Sequence, residues 1–192
     1  MLPSENLKSI RYMLPDDKYT SETRFAGIAM LESFVDLNKK TKIITVRTDD
    51  DNKRTEECYA LFKEELARLS ICKETDLCVT EEIVVPHNEE GEKENLILRK
   101  LFESFSEKSD VFLDLTFGTK LTSVEMFSSL FYAEIAKNCS IKKVVYGKFP
   151  FGDNNVGELF DATNLYRKIR LLETARFMEK NAFDDLVEKM LI

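Results

Sequence analysis

The sequence predicts an α/β protein: a doubly wound, mostly parallel sheet with flanking helices and a C-terminal helical segment. Three observations predict it. Short apolar runs alternate with longer amphipathic ones along most of the chain. The run Asp110-Val111-Phe112-Leu113-Asp114-Leu115 is nearly continuous in apolar residues, as a strand covered on both faces requires. The spacing between apolar runs leaves room for crossover helices, which favours parallel neighbours.

Each element arises from local pattern. Ser9 to Leu14 reads as a first strand, ended by Pro15-Asp16-Asp17. Residues 22–38 carry Phe25, Ile28, Ala29, Leu31 and Phe34 at near-helical spacing. Lys42 to Val46 is a second strand, stopped by Thr48-Asp49-Asp50-Asp51-Asn52, whose acids supply a cap for a helix over 54–69. Val79 to Val85 is a third strand, broken by Pro86. Residues 92–106 form a helix with Leu98, Leu101, Phe102 and Phe105 on one face. After the fourth strand at 110–115 a helix runs through Ala136, and Ile141 to Tyr146 is a fifth strand. Residues 147–157 hold three glycines, a proline and two asparagines, and read as a loop or hairpin. The remainder, 163–191, is helical.

With right-handed crossovers, the simplest strand order is 3-2-1-4-5. The winding then reverses between the first and fourth strands, and a ligand binds beyond their carboxyl ends. The loops to inspect are 14–21 and 115–122, with 47–52 beside them.

Composition narrows the function. The chain has 192 residues, 28 Lys+Arg and 35 Asp+Glu, for a formal charge of −7. That length fits one domain. The acidic balance argues against binding duplex nucleic acid over a broad face, because phosphate affinity comes from Lys and Arg. No apolar run approaches the ~18–20 residues of a membrane span, and the N-terminus lacks the pattern of a secretory signal. The four cysteines, Cys58, Cys72, Cys78 and Cys139, have no zinc-ligand spacing. Without a signal peptide they read as reduced thiols in a cytoplasm. The lone histidine, His87, comes after Pro86 in a polar stretch and builds no metal site alone.

The three loops carry the candidate residues. After the fourth strand come Thr116, Phe117, Gly118, Thr119 and Lys120. The threonines offer hydroxyls, Gly118 permits a positive φ, and amides opening a helix favour an anion. Lys120 adds a full positive charge. A Thr-capped turn with a solvated lysine explains the same residues. In the first loop, Tyr19 offers a ring to a base and Thr20 a hydroxyl, with Asp16 beside them. The competing reading is that Ser21 caps the next helix and Tyr19 packs on it. Thr48 opens the second loop; the acids after it read better as a solvated, helix-capping run than as a cation site.

Familiar motifs fail. The first loop has no glycine, so G-x-G-x-x-G is absent, and there is no G-x-x-x-x-G-K-[ST]. A receiver domain would place an aspartate at the end of the third strand, which reads Val85-Pro86-His87.

Val111 to Lys120 resembles the fourth-strand motif of CARF domains, the CRISPR-associated Rossmann fold, one branch of which commonly reads Asp-x-Thr-His-Gly here. Val144-Val145-Tyr146-Gly147-Lys148-Phe149 and Leu159-Phe160-Asp161-Ala162-Thr163 resemble the segments that come after this motif in several such proteins. The likeness covers roughly residues 9–166 and divides the chain into a CARF-like domain at 1–162 and a helical segment at 163–192. Two departures stand out: Phe117 replaces the histidine, and the first loop lacks the usual small residues.

The resemblance implies a homodimer that binds a cyclic oligoadenylate messenger of type III CRISPR defence, cyclic tetra-adenylate first among them, across its two-fold axis. It implies ligand contacts from Thr116, Gly118, Thr119 and Lys120, and adds Tyr146 to the candidate set. The segment 163–191 contains no histidine, so an Arg-x-x-x-x-His ribonuclease motif is absent from it. A stand-alone domain of this kind resembles a ring nuclease, which opens the messenger by 2′-OH attack with neither metal nor cofactor. A non-catalytic sensor acting through a partner or a further effector segment is the alternative, and an unrelated α/β nucleotide-binding protein is a third.

Overall fold

Eleven elements succeed one another in the order the periodicity predicts, with one strand added. In the computed structural model the described residues are 8–36, 39–49, 54–69, 78–86, 92–150 and 155–175. The elements are β1 (Arg11–Met13), α1 (Ala26–Phe34), β2 (Thr41–Asp49), α2 (Arg54–Leu66), β3 (Cys78–Pro86), α3 (Glu92–Ser104), β4 (Asp110–Asp114), α4 (Lys120–Lys137), β5 (Ser140–Lys148), β6 (Val156–Asp161) and α5 (Thr163–Ala175). The protein is α/β with mostly parallel strands, in keeping with a Rossmann-like fold.

The strands form two ladders. β2 and β3 pair in parallel from Thr41↔Cys78 to Asp49↔Pro86. The second ladder runs β1-β6-β5-β4. In it β4 and β5 are parallel, β5 and β6 antiparallel, and β6 and β1 parallel. It follows that β1 runs opposite to β4.

This corrects one expectation: β1 does not lie between β2 and β4 but takes the far edge beside β6. Residues from Val156 are a sixth strand that pairs antiparallel with β5, so of the readings of 147–157 the hairpin holds. Apolar periodicity marks a segment as a strand but carries no information on which edge it joins.

The core explains why the ladders stay together. Val46, Ile83 and Val85 from one ladder share a cluster with Leu113, Ile141 and Val144 from the other. Ile97 and Leu101 of α3 and Leu130 of α4 complete it, and Tyr166 of α5 enters it from the C-terminal segment. Phe102 stacks on Tyr132 at 4.0 Å, joining α3 to α4. A second cluster sets Phe25, Ile28 and Leu31 against Ile43, Phe62 and Leu66. The buried Glu65 ties α2 to the entry of α1, accepting from the Thr23 hydroxyl, from Arg24 N at 3.2 Å and from Arg24 Nη1 at 2.7 Å.

The two helices α4 and α1 differ at their ends. Thr119 caps α4, accepting from Thr122 N at 3.2 Å, and Asn138 closes it in the left-handed region at φ 52°. Ser21, expected to cap the first helix, bonds Glu32 instead, its hydroxyl at 2.6 Å and its amide at 3.2 Å. α1 starts only at Ala26, so Ser21 lies too far upstream to cap it. Cys58 and Cys139 are buried in the core; Cys72, His87 and the acids Asp50 and Asp51 lie outside the described residues. No helix among the described residues is long and apolar enough to cross a membrane.

Candidate functional site

The carboxyl end of β4 is built around one acid. Asp114 ends the strand, and its Oδ1 accepts the Thr116 amide at 2.9 Å and the Thr116 hydroxyl. The Gly27 amide, at the start of α1, also donates to this carboxylate. Burial pushes the Asp114 carboxyl above the usual aspartate range, and the bonds from Thr116 and Gly27 only partly offset it. Thr116 in turn accepts the Gly147 amide of β5 at 2.8 Å.

Close backbone approach makes this possible. A Cβ on Gly147 would stand 2.7 Å from the Ala26 Cβ and 3.1 Å from Thr116 Oγ1, so only glycine lets α1 dock there. Gly118 has φ 119°, a conformation that L side chains rarely adopt, and it turns the chain into α4.

The first turn of α4 presents donors. Thr122 N is taken by the Thr119 side chain and Ser123 N by the Thr119 carbonyl. Among the described residues nothing accepts from the amides of Lys120 and Leu121, the usual orphans of a helix start. Lys120 is the first residue of the helix and is exposed. An exposed lysine, two open amides and the helix dipole on one turn favour a bound anion.

The sequence candidates fall at four places. Gly118, Thr119 and Lys120 stand together at the turn. Thr116 and Phe117 adjoin it, but the Thr116 hydroxyl proton is committed to Asp114, and the Phe117 ring packs at 5.5 Å from Phe149. Asp16, Tyr19 and Thr20 come after β1. Because β1 runs opposite to β4, the chain leaves β1 in the direction opposite to that in which it leaves β4. Asp16 pairs with Lys18 at 2.6 Å, Tyr19 is 57% exposed, and Thr20 is buried, accepting from Tyr12 N at 3.0 Å and donating to the Ser21 carbonyl at 2.9 Å. Thr48 lies near the end of β2, where its carbonyl accepts the Thr55 hydroxyl at 2.7 Å. Tyr146 is 45% exposed on β5, opposite Phe160.

Sequence reading did not single out Asp114, Gly27, Gly147 or Tyr12 as site residues. The signal for Asp114 was present: a carboxylate inside an apolar run is a buried charge, and buried charge marks a structural or functional commitment. Tyr12 is wholly buried, and its hydroxyl has no hydrogen-bond partner among the described residues. Burial, with the nearby Asp114 and Glu65 carboxylates, pushes that phenol well above its ordinary range. Among the described residues no three His, Cys, Asp or Glu gather to hold a metal ion.

No family model and no curated protein matches the chain.

Proposed function

We propose that the protein binds a cyclic oligoadenylate, cyclic tetra-adenylate first among them, as a homodimer, and cleaves it as a ring nuclease. The observation that carries this reading is the α4 turn: Gly118 at positive φ, the Thr119 cap, two open amides and Lys120, beside a helix-braced parallel strand. The CARF-like sequence at 111–120 supplies the ligand class.

The chemistry requires geometry rather than a metal. The ribose 2′-oxygen attacks the adjacent phosphorus, the P–O5′ bond breaks, and the 2′-OH proton ends on the departing 5′-oxygen. The products carry a 2′,3′-cyclic phosphate and a 5′-hydroxyl. Holding the ribose in line lowers the entropic part of the barrier. Lys120 and the amides beside it stabilise charge building on the phosphate. In this reading the protein works in the cytoplasm, where the messenger is made.

One observation favours the sensor reading. α5 buries Tyr166 and Ala175 but leaves Leu165 56% exposed and Leu171 and Leu172 partly exposed, an apolar face suited to a second subunit or an effector.

The test incubates the protein with labelled cyclic tetra- and hexa-adenylate and separates the products. Linear products ending in 2′,3′-cyclic phosphate, formed roughly 100-fold more slowly by Lys120→Ala, support the nuclease. Tight binding with the ring intact supports the sensor. Binding of neither ring overturns both.

A further inference from the structure

The facing edges of β2 and β4 are open. β2 pairs along its length with β3, and β4 pairs with β5, so each spends one edge. Among the described residues nothing pairs with the other two edges. Both line one cavity of about 1130 Å³ between the ladders, walled by Thr41–Val46 of β2 and Asp110–Asp114 of β4.

Backbone amides and carbonyls are obligatory hydrogen-bonding groups, and two rows of them facing one space call for a partner. The two strands also begin at the same end of the slot. Lys42, near the start of β2, donates from Nζ to the Ser104 carbonyl at 2.9 Å, at the end of the helix that leads into β4. Their composition is that of interior strands. No charged residue interrupts β2 between Lys42 and Arg47, or β4 between Asp110 and Asp114.

Strand order points the same way. With the slot occupied the sheet reads β3-β2-x-β4-β5, the arrangement that right-handed crossovers favour. β1 cannot serve as x, because it is paired with β6 at the far edge. The slot spans about five to six residues, an ordinary strand length.

We infer that the slot between β2 and β4 receives one extended apolar strand of a partner polypeptide, parallel to both. Its N-terminal end meets a basic mouth. Lys39, Lys40, Lys42 and Lys108 line that end beside Asp36 and Asp110; Lys39 pairs with Asp36 and Lys42 with Glu81, whereas among the described residues neither Lys40 nor Lys108 has a carboxylate partner. Acidic residues preceding the strand complement them. Hydrogen bonds to both edges supply affinity, and the apolar walls select side chains.

The test uses a synthetic peptide of two aspartates followed by five alternating valines and isoleucines, with a solubilising tail at its C-terminal end. Amide hydrogen exchange is read over 41–46 and 110–114, with the melting temperature beside it. The expected result is at least tenfold slower exchange in both segments and a melting temperature that rises with peptide concentration. A second peptide, N-methylated at alternate residues, keeps the side chains but loses donors, and the expected result is loss of that protection. Equal protection by the methylated peptide overturns the inference, since filling alone would then suffice. So does unchanged exchange at saturating peptide. Protection by dodecanoate but not by the peptide overturns it in favour of a small amphipathic anion. Slow exchange in the free protein together with a dimeric mass overturns it in favour of a second copy.

Discussion

The Thr116 hydroxyl accepts the Gly147 amide at 2.8 Å while donating to Asp114, so one side chain joins the turn after β4 to β5. Replacing it with valine removes both bonds and leaves a strand amide and a carboxylate underserved. Thr116→Val is expected to destabilise the fold by about 1–3 kcal/mol, and Thr116→Ser by much less. Urea unfolding of the two variants checks this; equal losses would mean that the methyl contact, not the hydroxyl, matters.

Gly118 sets the start of α4 through its φ of 119°. Gly118→Ala forces a β-carbon into that conformation, at a cost of roughly 1–3 kcal/mol or a shift of the turn. Under the proposed function, binding of labelled cyclic tetra-adenylate is expected to weaken more than stability falls, because the Lys120 and Leu121 amides move with the turn. Titration and melting on the same sample separate the two effects.

Asp114 gives a pH dependence of unusual sign. Its folded pKa is raised, so the folded state holds the proton more tightly than the unfolded chain does. The stability it contributes is full below the unfolded value of about 3.9 and is lost as pH rises through the folded value. Asp114→Asn removes the charge and keeps one acceptor oxygen for Thr116, while its NH2 group meets the Gly27 amide, which is also a donor. The stability of the variant relative to the parent is expected to rise as pH increases from about 4 to 7, because only the parent carries the buried charge. Denaturant midpoints across that range decide it.

Asp161 runs the other way. Burial pushes its carboxyl up, but the Lys143 ion pair and the bond from Thr163 N at 2.8 Å outweigh it and hold the group below the usual range. Its stabilisation is present above the unfolded value and is lost as pH falls through the folded one. Asp161→Ala is expected to cost roughly 1–3 kcal/mol at pH 7 and progressively less in acid. A loss independent of pH would mean that packing, not charge, is at stake.

Much of the architecture was legible in order along the chain. Five strands and the helices between them emerge from apolar spacing, because burial on a sheet or a helix face imposes periods of about two and 3.6 residues. Val111 to Leu113 declared a covered strand, and Gly118-Thr119 marked the start of α4. Those signals are local, and each needs only its own neighbours in sequence.

Pairing was not legible. Nothing in Arg11-Tyr12-Met13 says that it joins β6 rather than β4, and that choice reverses the direction in which the chain enters the turn holding Asp16, Tyr19 and Thr20. The commitment of Thr116 to Asp114 and Gly147 is equally non-local, since it depends on a glycine 31 residues away. Local spacing along the chain settles which segments are strands and helices and where a helix start could hold an anion. Which edges meet, which hydroxyls are already spent, and the strand-wide slot between β2 and β4 emerge only in the folded molecule. Secondary structure is written in nearest neighbours, whereas edges and buried partners are set by contacts between distant parts of the chain.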